Sequence, residues 1–483
     1  IADKIMQFFS FDFFIFFLAV FFLNWFLKRW PLFWRLFLLF ASYLFYSFWD
    51  INFVFVLLVI TVFNFVSGEI IWRSDKKWIL WLTILIDILF LGIYKYYDFF
   101  RVSAENFLGF FGIHANLFFF SVIFPVGLSF YILRAISYNV DIFRRDIRPS
   151  YSFLDFSLYM AFFPQLLSGP ISRPKFFLDQ LENGGAKKII DFHGYCAQIL
   201  SGLFKKLVVS SYLSIEIADK VFSVPQNYNS FMAIIAVYAY AIVIYCDFSG
   251  YSDMATGIAG LLGFKSPLNF DHPYRAQNIQ DFWRRWHISL STWFRDYLYI
   301  PLGGMKVPNW RLYLNIMIVM LVSGLWHGAS FTFLFWGFLH GIGSIIYRAR
   351  QIRNKAKIKI ELVNRKILAK SQKFFSKFWS WFATFNFICF AWIFFRAESI
   401  SVGFDLISKI LEFDFSGIID FKWLYIIFIC LLFFFIGEDV RKKFLSLQEK
   451  LPFFWQIVVG AILFILIVMF APDVVPPFIY FGF

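Results

Sequence analysis

Charge is scarce in this sequence. Asp, Glu, Lys and Arg make up 16% of 483 residues, against about 25% in ordinary soluble domains. Hydrophobic residues reach 60%, and the mean hydropathy is +0.68. A water-soluble fold of ordinary build is excluded. Cysteine is also rare. The four thiols, Cys196, Cys246, Cys389 and Cys430, are scattered, with no CxxC and no histidine beside them. That pattern argues against a disulfide framework or a cysteine metal site and reads as free thiols. HExxH, Walker A and GxSxG are missing, so nothing points to a zinc protease, a P-loop NTPase or a nucleophile-elbow hydrolase. No spacing supports a metal. There is neither an internal repeat nor a low-complexity linker. The even spread of apolar runs reads as one membrane-embedded domain over residues 1–483.

What is present is aromatic and apolar. Phe, Trp and Tyr total 24%, with 75 Phe. A helix needs about 20 apolar residues to cross the hydrocarbon. Segments 8–27, 31–49, 51–71, 78–97, 115–139, 228–247, 312–326, 330–347, 378–396, 421–437 and 453–471 meet or approach that need. The expectation is an all-α polytopic membrane protein of about 11 transmembrane helices. Segments 155–180 and 194–222 are amphipathic and interrupted by Pro or Gly, and read as re-entrant. Backbone of that kind survives at membrane depth only inside protein or beside water, so it hints at an internal cavity. Residues 1–5 look foreign beside the apolar run that opens at Met6. This first apolar run lacks a cleavage signal and reads as a retained span.

The net charge is +14. It lies in short loops between apolar runs, as the positive-inside rule requires, so no nucleic-acid partner is implied and membrane lipids are. Lys28 and Arg29 put the end of the first span inside and the N-terminus outside. The stretch 348–377 carries eleven Lys and Arg against Glu361 and reads as a basic cytoplasmic loop. By the same count the tail 472–483 lies outside.

Residues 245–345 break the apolar pattern. Four of the six histidines fall there: His272, His287, His327 and His340. Ionisable groups among membrane helices usually line a pathway or a site. His327 stands in Ser323-Gly324-Leu325-Trp326-His327-Gly328, where the glycines allow close approach of a backbone or a ligand. A neutral imidazole there suits a general base acting on a hydroxyl. A structural histidine bonded to a carbonyl is the alternative. His287 follows Trp283-Arg284-Arg285-Trp286. Arg284 and Arg285 match phosphate geometry, but Asp281 and Asp296 are equally placed to neutralise this stretch as an interfacial helix. His272-Pro273 reads as a turn, and His340 as a packing or helix-end residue.

The blocks DFWRRWHISLSTWFRDYLYIPLGG and SGLWHGASFTFLFWGFLHG, with PVGLSFYILRAISYNVDIFRRD, FFPQLLSGPISRP, YCDFSGYSDMATGIAG and CFAWIFFRAES, resemble the membrane-bound O-acyltransferase family. The branch they resemble most is that of bacterial alginate and peptidoglycan O-acetyltransferases. The resemblance implies a helical funnel through the membrane, with His327 catalytic and His287 a second active-site residue. It implies acetyl-CoA as a cytoplasmic donor substrate and no bound cofactor; Arg284 and Arg285 are then the candidates for the donor's phosphates, and Trp326 is a candidate donor-binding residue. It also implies a periplasmic SGNH-hydrolase-like O-acetyltransferase as partner and the bacterial inner membrane as location. A transporter or flippase is the competing class. Such folds commonly carry repeats, and none is seen.

The chain ends Pro476-Pro477-Phe478-Ile479-Tyr480-Phe481-Gly482-Phe483. This F-x-Y-x-x-F form resembles the end of the small partner peptide of teichoic-acid D-alanylation. A phenol accepts an acyl group once a base removes its proton, so Tyr480 is a candidate acyl relay. The competing reading is an aromatic anchor at the membrane surface.

Overall fold

The computed structural model describes residues 6–114, 116–118, 123–150, 152–184, 188–361, 370–416, 422–431, 443, 446 and 451–481; within these, the side chains of 355–361, 370–375 and 453 are not described. Among the described residues the regular structure is helical, with no strand. The expected termini at 1–5 and 482–483 lie outside them. Two compact units form. The first is Ile1–Leu203 with Tyr251–Pro267, and the second is Phe204–Gly250 with Leu268–Phe483.

Among the described residues four helices are long and apolar enough to cross a membrane: Ile51–Ser74, Lys77–Phe110, Ser230–Leu261 and Ser376–Arg396. Phe11–Leu27, Pro31–Ser47, Lys422–Leu431 and Phe454–Met469 are apolar but shorter. At 1.5 Å per residue, 17 residues span about 25 Å, slightly less than the hydrocarbon core. The expected span 115–139 is not one helix. Pro125 precedes Gly127, which sits at φ 84°, and the helix starts only at Leu128. It then runs to Phe143 with nearly every side chain buried, so it is an internal helix of the first unit. Helix starts follow ordinary capping: Ser10 accepts from Phe13 N–H, and Asp50 from Asn52 N–H.

The first unit holds the broken segment expected from 155–180. It folds as helices Phe153–Ala161, Phe163–Leu166 and Pro174–Glu182, and its irregular residues 167–172 are buried. Arg134, 1% exposed, donates to the carbonyls of Tyr159 and Gln165 at 3.1 and 2.7 Å. A guanidinium thus serves carbonyls that a continuous helix would have paired. Asn139, Asn64 and Asp87 form a second buried polar chain in this unit.

In the second unit the segment 204–222 is helical but underwound into wide turns at Phe204–Ser210 and Ser214–Ala218. Turns with i→i+5 bonds often mark functional sites. The basic stretch 348–377 differs from a loop, since helix Phe331–Glu361 runs into it and helix Lys370–Arg396 begins within it. Lys and Arg are good helix formers, so charge alone did not end the helix.

Candidate active site

The site lies wholly in the second unit. Helices Asn309–His327 and Phe331–Glu361 pack backbone to backbone. A Cβ at Gly324 would strike the Phe333 carbonyl, and one at Gly337 would strike the Met320 carbonyl. Gly324, three residues before the histidine, therefore serves helix contact. It brings His327, the last residue of its helix, against Trp336 and Phe395, with ring centroids 5.0 and 5.2 Å away. His327 is 2% exposed.

The C-terminal tail reaches this ring. Tyr480 Oη lies 3.0 Å from His327 Nδ1. That is hydrogen-bond distance between a phenol and an imidazole nitrogen. Tyr480 also packs on Phe248 at 4.7 Å and on Trp326 at 6.0 Å. Its neighbour Phe478 is fully buried against Phe248. The tail is thus docked inside the second unit.

His287 joins the same cluster. It stands at φ 42°, a left-handed conformation, between short helices Ile279–Arg285 and Ile288–Phe294. Such backbone is uncommon for a side chain with a Cβ and clusters at functional sites. The ring is 1% exposed and meets Phe248 edge-to-face at 4.6 Å. Its Nδ1 lies 3.0 Å from Asn269 Oδ1, which also accepts from the Ser289 hydroxyl at 2.8 Å. An amide oxygen only accepts, so Nδ1 carries the proton. In the neutral ring Nε2 is then an acceptor.

Trp326, also buried, bridges the histidines, with centroids 5.0 Å from His327 and 6.0 Å from His287. The arginines separate. Arg285 pairs with Asp281 at 2.9 Å and Asp271 at 3.4 Å, whereas Arg284 is exposed. Arg295 pairs with Asp296 at 2.7 Å. His272 precedes the turn Pro273–Arg275 at φ 45°. His340 is not at a helix end: it sits inside Phe331–Glu361, fully buried among Phe282, Trp283, Trp336, Phe387 and Trp392. Three residues escaped the sequence reading. Asn269 orients His287, while Lys206 and Asp247 hold the tail. A Lys and an Asp in otherwise apolar helices were the only signal for the last two.

The sequence profile of the membrane-bound O-acyltransferase family matches residues 131–347. The chain is 35% identical to the probable alginate O-acetylase of Pseudomonas aeruginosa over 385 residues, covering 78% of this chain and 70% of that protein. The chain belongs to the membrane-bound O-acyltransferase family. Another relative is the peptidoglycan O-acetyltransferase of Helicobacter pylori, 35% identical over 402 residues, covering 77% of this chain and 72% of the relative. A teichoic acid D-alanyltransferase of Streptococcus thermophilus is 25% identical over 360 residues, with 70% and 82% covered. This O-acyltransferase is a multi-pass membrane protein, and its family profile spans both His287 and His327.

Proposed function

We propose that this O-acyltransferase moves acetyl from cytoplasmic acetyl-CoA to Tyr480 and then outward to a cell-envelope polysaccharide. The observation that carries the reading is the 3.0 Å approach of Tyr480 Oη to His327 Nδ1. His327 Nδ1 takes the phenol proton, and the phenolate oxygen attacks the thioester carbonyl. The new C–O bond forms as the C–S bond breaks. The coenzyme A thiolate leaves with the proton held on His327. Tyr480 then carries the acetyl as an aryl ester, and neither coenzyme A nor the polymer crosses the membrane.

His287 orients the reactants. With Nδ1–H committed to Asn269, its Nε2 suits accepting a hydrogen bond from donor or acceptor. It does not suit donating one to an oxyanion while the ring is neutral. Arg284 is the more available of the two arginines for donor phosphates, because Arg285 is engaged by Asp281 and Asp271.

The acceptor proposed first is periplasmic peptidoglycan, reached through an SGNH-hydrolase-like partner at the inner membrane. Both termini then face the periplasm. The peptidoglycan-named relative supports this, together with a Phe-, Ile- and Lys-rich composition expected of a low-GC genome. Alginate is the second reading, supported by equal identity to the alginate-named relatives. Purified wild-type protein given acetyl-CoA should release free coenzyme A, and Tyr480→Phe should lose that release. Undiminished release in Tyr480→Phe would remove the relay.

A further inference from the structure

The tail that carries Tyr480 is gripped by its main chain. Lys206, 1% exposed, lies in the wide turn Phe204–Ser210, and Asp247, 2% exposed, lies on helix Ser230–Leu261. Their ion pair is 2.5 Å long. An ammonium has three N–H donors and no acceptor. Besides Asp247 Oδ1, Lys206 Nζ reaches the carbonyls of Pro476 at 2.8 Å and Pro477 at 3.2 Å. The other carboxylate oxygen, Asp247 Oδ2, accepts the Ile479 N–H at 2.8 Å. The tail thus accepts two hydrogen bonds from the ammonium and gives one to the second oxygen of the carboxylate.

Buried ions are tolerated when paired and fully hydrogen-bonded. Asp247 Oδ1 faces the ammonium as an ion pair without a hydrogen bond of its own, and the tail supplies hydrogen bonds to both ions, so burial of the pair and docking of the tail are coupled. Because lysine and aspartate neutralise each other, no net charge is exposed to an apolar surround if the tail departs. The prolines have fixed φ and no N–H of their own, so Pro476 and Pro477 offer carbonyls on a pre-ordered backbone. Phe478 enters the wall beside Phe248, and one residue past Ile479 the phenol meets His327.

We infer that Lys206 and Asp247 are positioning residues, a main-chain clamp that docks residues 476–479 and thereby sets the Tyr480 phenol at His327. The inference rests on the relay proposed above and adds what makes it geometrically competent. The clamp grips backbone atoms, so the identity of the tail side chains other than Phe478 and Tyr480 is not what it reads.

The test uses the full-length protein in three arms. Carboxypeptidase trimming past Phe481, followed by intact mass, reads docking with no chemistry involved. Acetylation of Tyr480 from acetyl-CoA reads positioning. Acetylation of added N-acetyltyrosinamide reads whether the site opens when the tail leaves. Two variants are compared with wild type: Lys206→Met, and Ile479→Pro, which removes the N–H that Asp247 accepts together with the isoleucine side chain and lies in the tail, outside the long helices, should Lys206→Met fail to fold.

Both variants should be trimmed about tenfold faster, the effect of losing one or two hydrogen bonds. Both should lose acetyl on Tyr480 and gain acetylation of the added phenol. A merely misfolded protein would lose both acceptors. Wild-type trimming rates in both variants would overturn the clamp. Faster trimming with unchanged Tyr480 acetylation would overturn its positioning role. An unmodified Tyr480 in wild type while coenzyme A accumulates would sink the relay instead, and the trimming arm would still decide whether the pair holds the tail.

Discussion

The two units each bury a long cationic side chain against main-chain carbonyls, and the difference between them separates scaffold from machinery. Arg134 in the first unit donates to Tyr159 and Gln165, carbonyls of a segment packed on all sides. Lys206 in the second unit donates to Pro476 and Pro477, carbonyls of the segment that carries Tyr480, and is paired with Asp247 as it does so. A guanidinium serving an internal break holds a fold together. An ammonium neutralised by its own carboxylate can hold a segment that comes and goes.

Substitutions should therefore separate chemistry, fold and positioning. The largest effect on transfer is expected from His327→Ala, which removes the proposed base and leaves the rest of the second unit standing. Coenzyme A release should fall by about 10²–10⁴-fold, with an unchanged melting temperature. A parallel loss of melting temperature would make His327 structural. The largest effect on folding should come from Arg134→Met. It strands two buried carbonyls, at about 1–3 kcal/mol each, and should appear as lost thermal stability before any specific kinetic defect. If Arg134→Met melted like wild type but lost transfer, the division between the units would be wrong.

Asn269→Ala comes next. Without the amide oxygen, His287 loses the bond that fixes its tautomer, and the coenzyme A release rate should drop about tenfold. Recovery in Asn269→Asp, which restores an oxygen acceptor, would tie the effect to the imidazole. The smallest effect should be that of Arg284→Ala. An exposed cation contributes little in water, so the KM for acetyl-CoA should rise by about two- to fivefold with kcat unchanged. A large kcat loss would move Arg284 into the chemistry.

The helices and the histidine pair were legible in the sequence for a physical reason. Apolar runs of membrane length and ionisable residues inside them are both costly in water or in lipid, so they stand out by composition. His327 stood out in that way, His287 was singled out by the family resemblance, and the terminal tyrosine stood out by its flanking motif. The break at Pro125 and Gly127 was written in the sequence too, but the surrounding apolar run masked it. What remained illegible depended on distance in space. Asn269 is 18 residues from His287, and Lys206 is about 270 from the prolines it holds. No spacing rule links such positions. Of the two readings of His340, packing holds and the helix end does not: the glycine after it answers close packing of helices, since a Cβ at Gly341 would press on Met317.

The central claim is that the phenol of Tyr480 becomes the first acceptor, with His327 as its base. The most direct measurement is peptide mapping by mass spectrometry of the full-length protein after brief exposure to acetyl-CoA. One acetyl group localised to Tyr480 in the wild type, and absent from it in His327→Ala, is the expected result. An acetyl group found on another residue, or on Tyr480 without His327, would contradict the account.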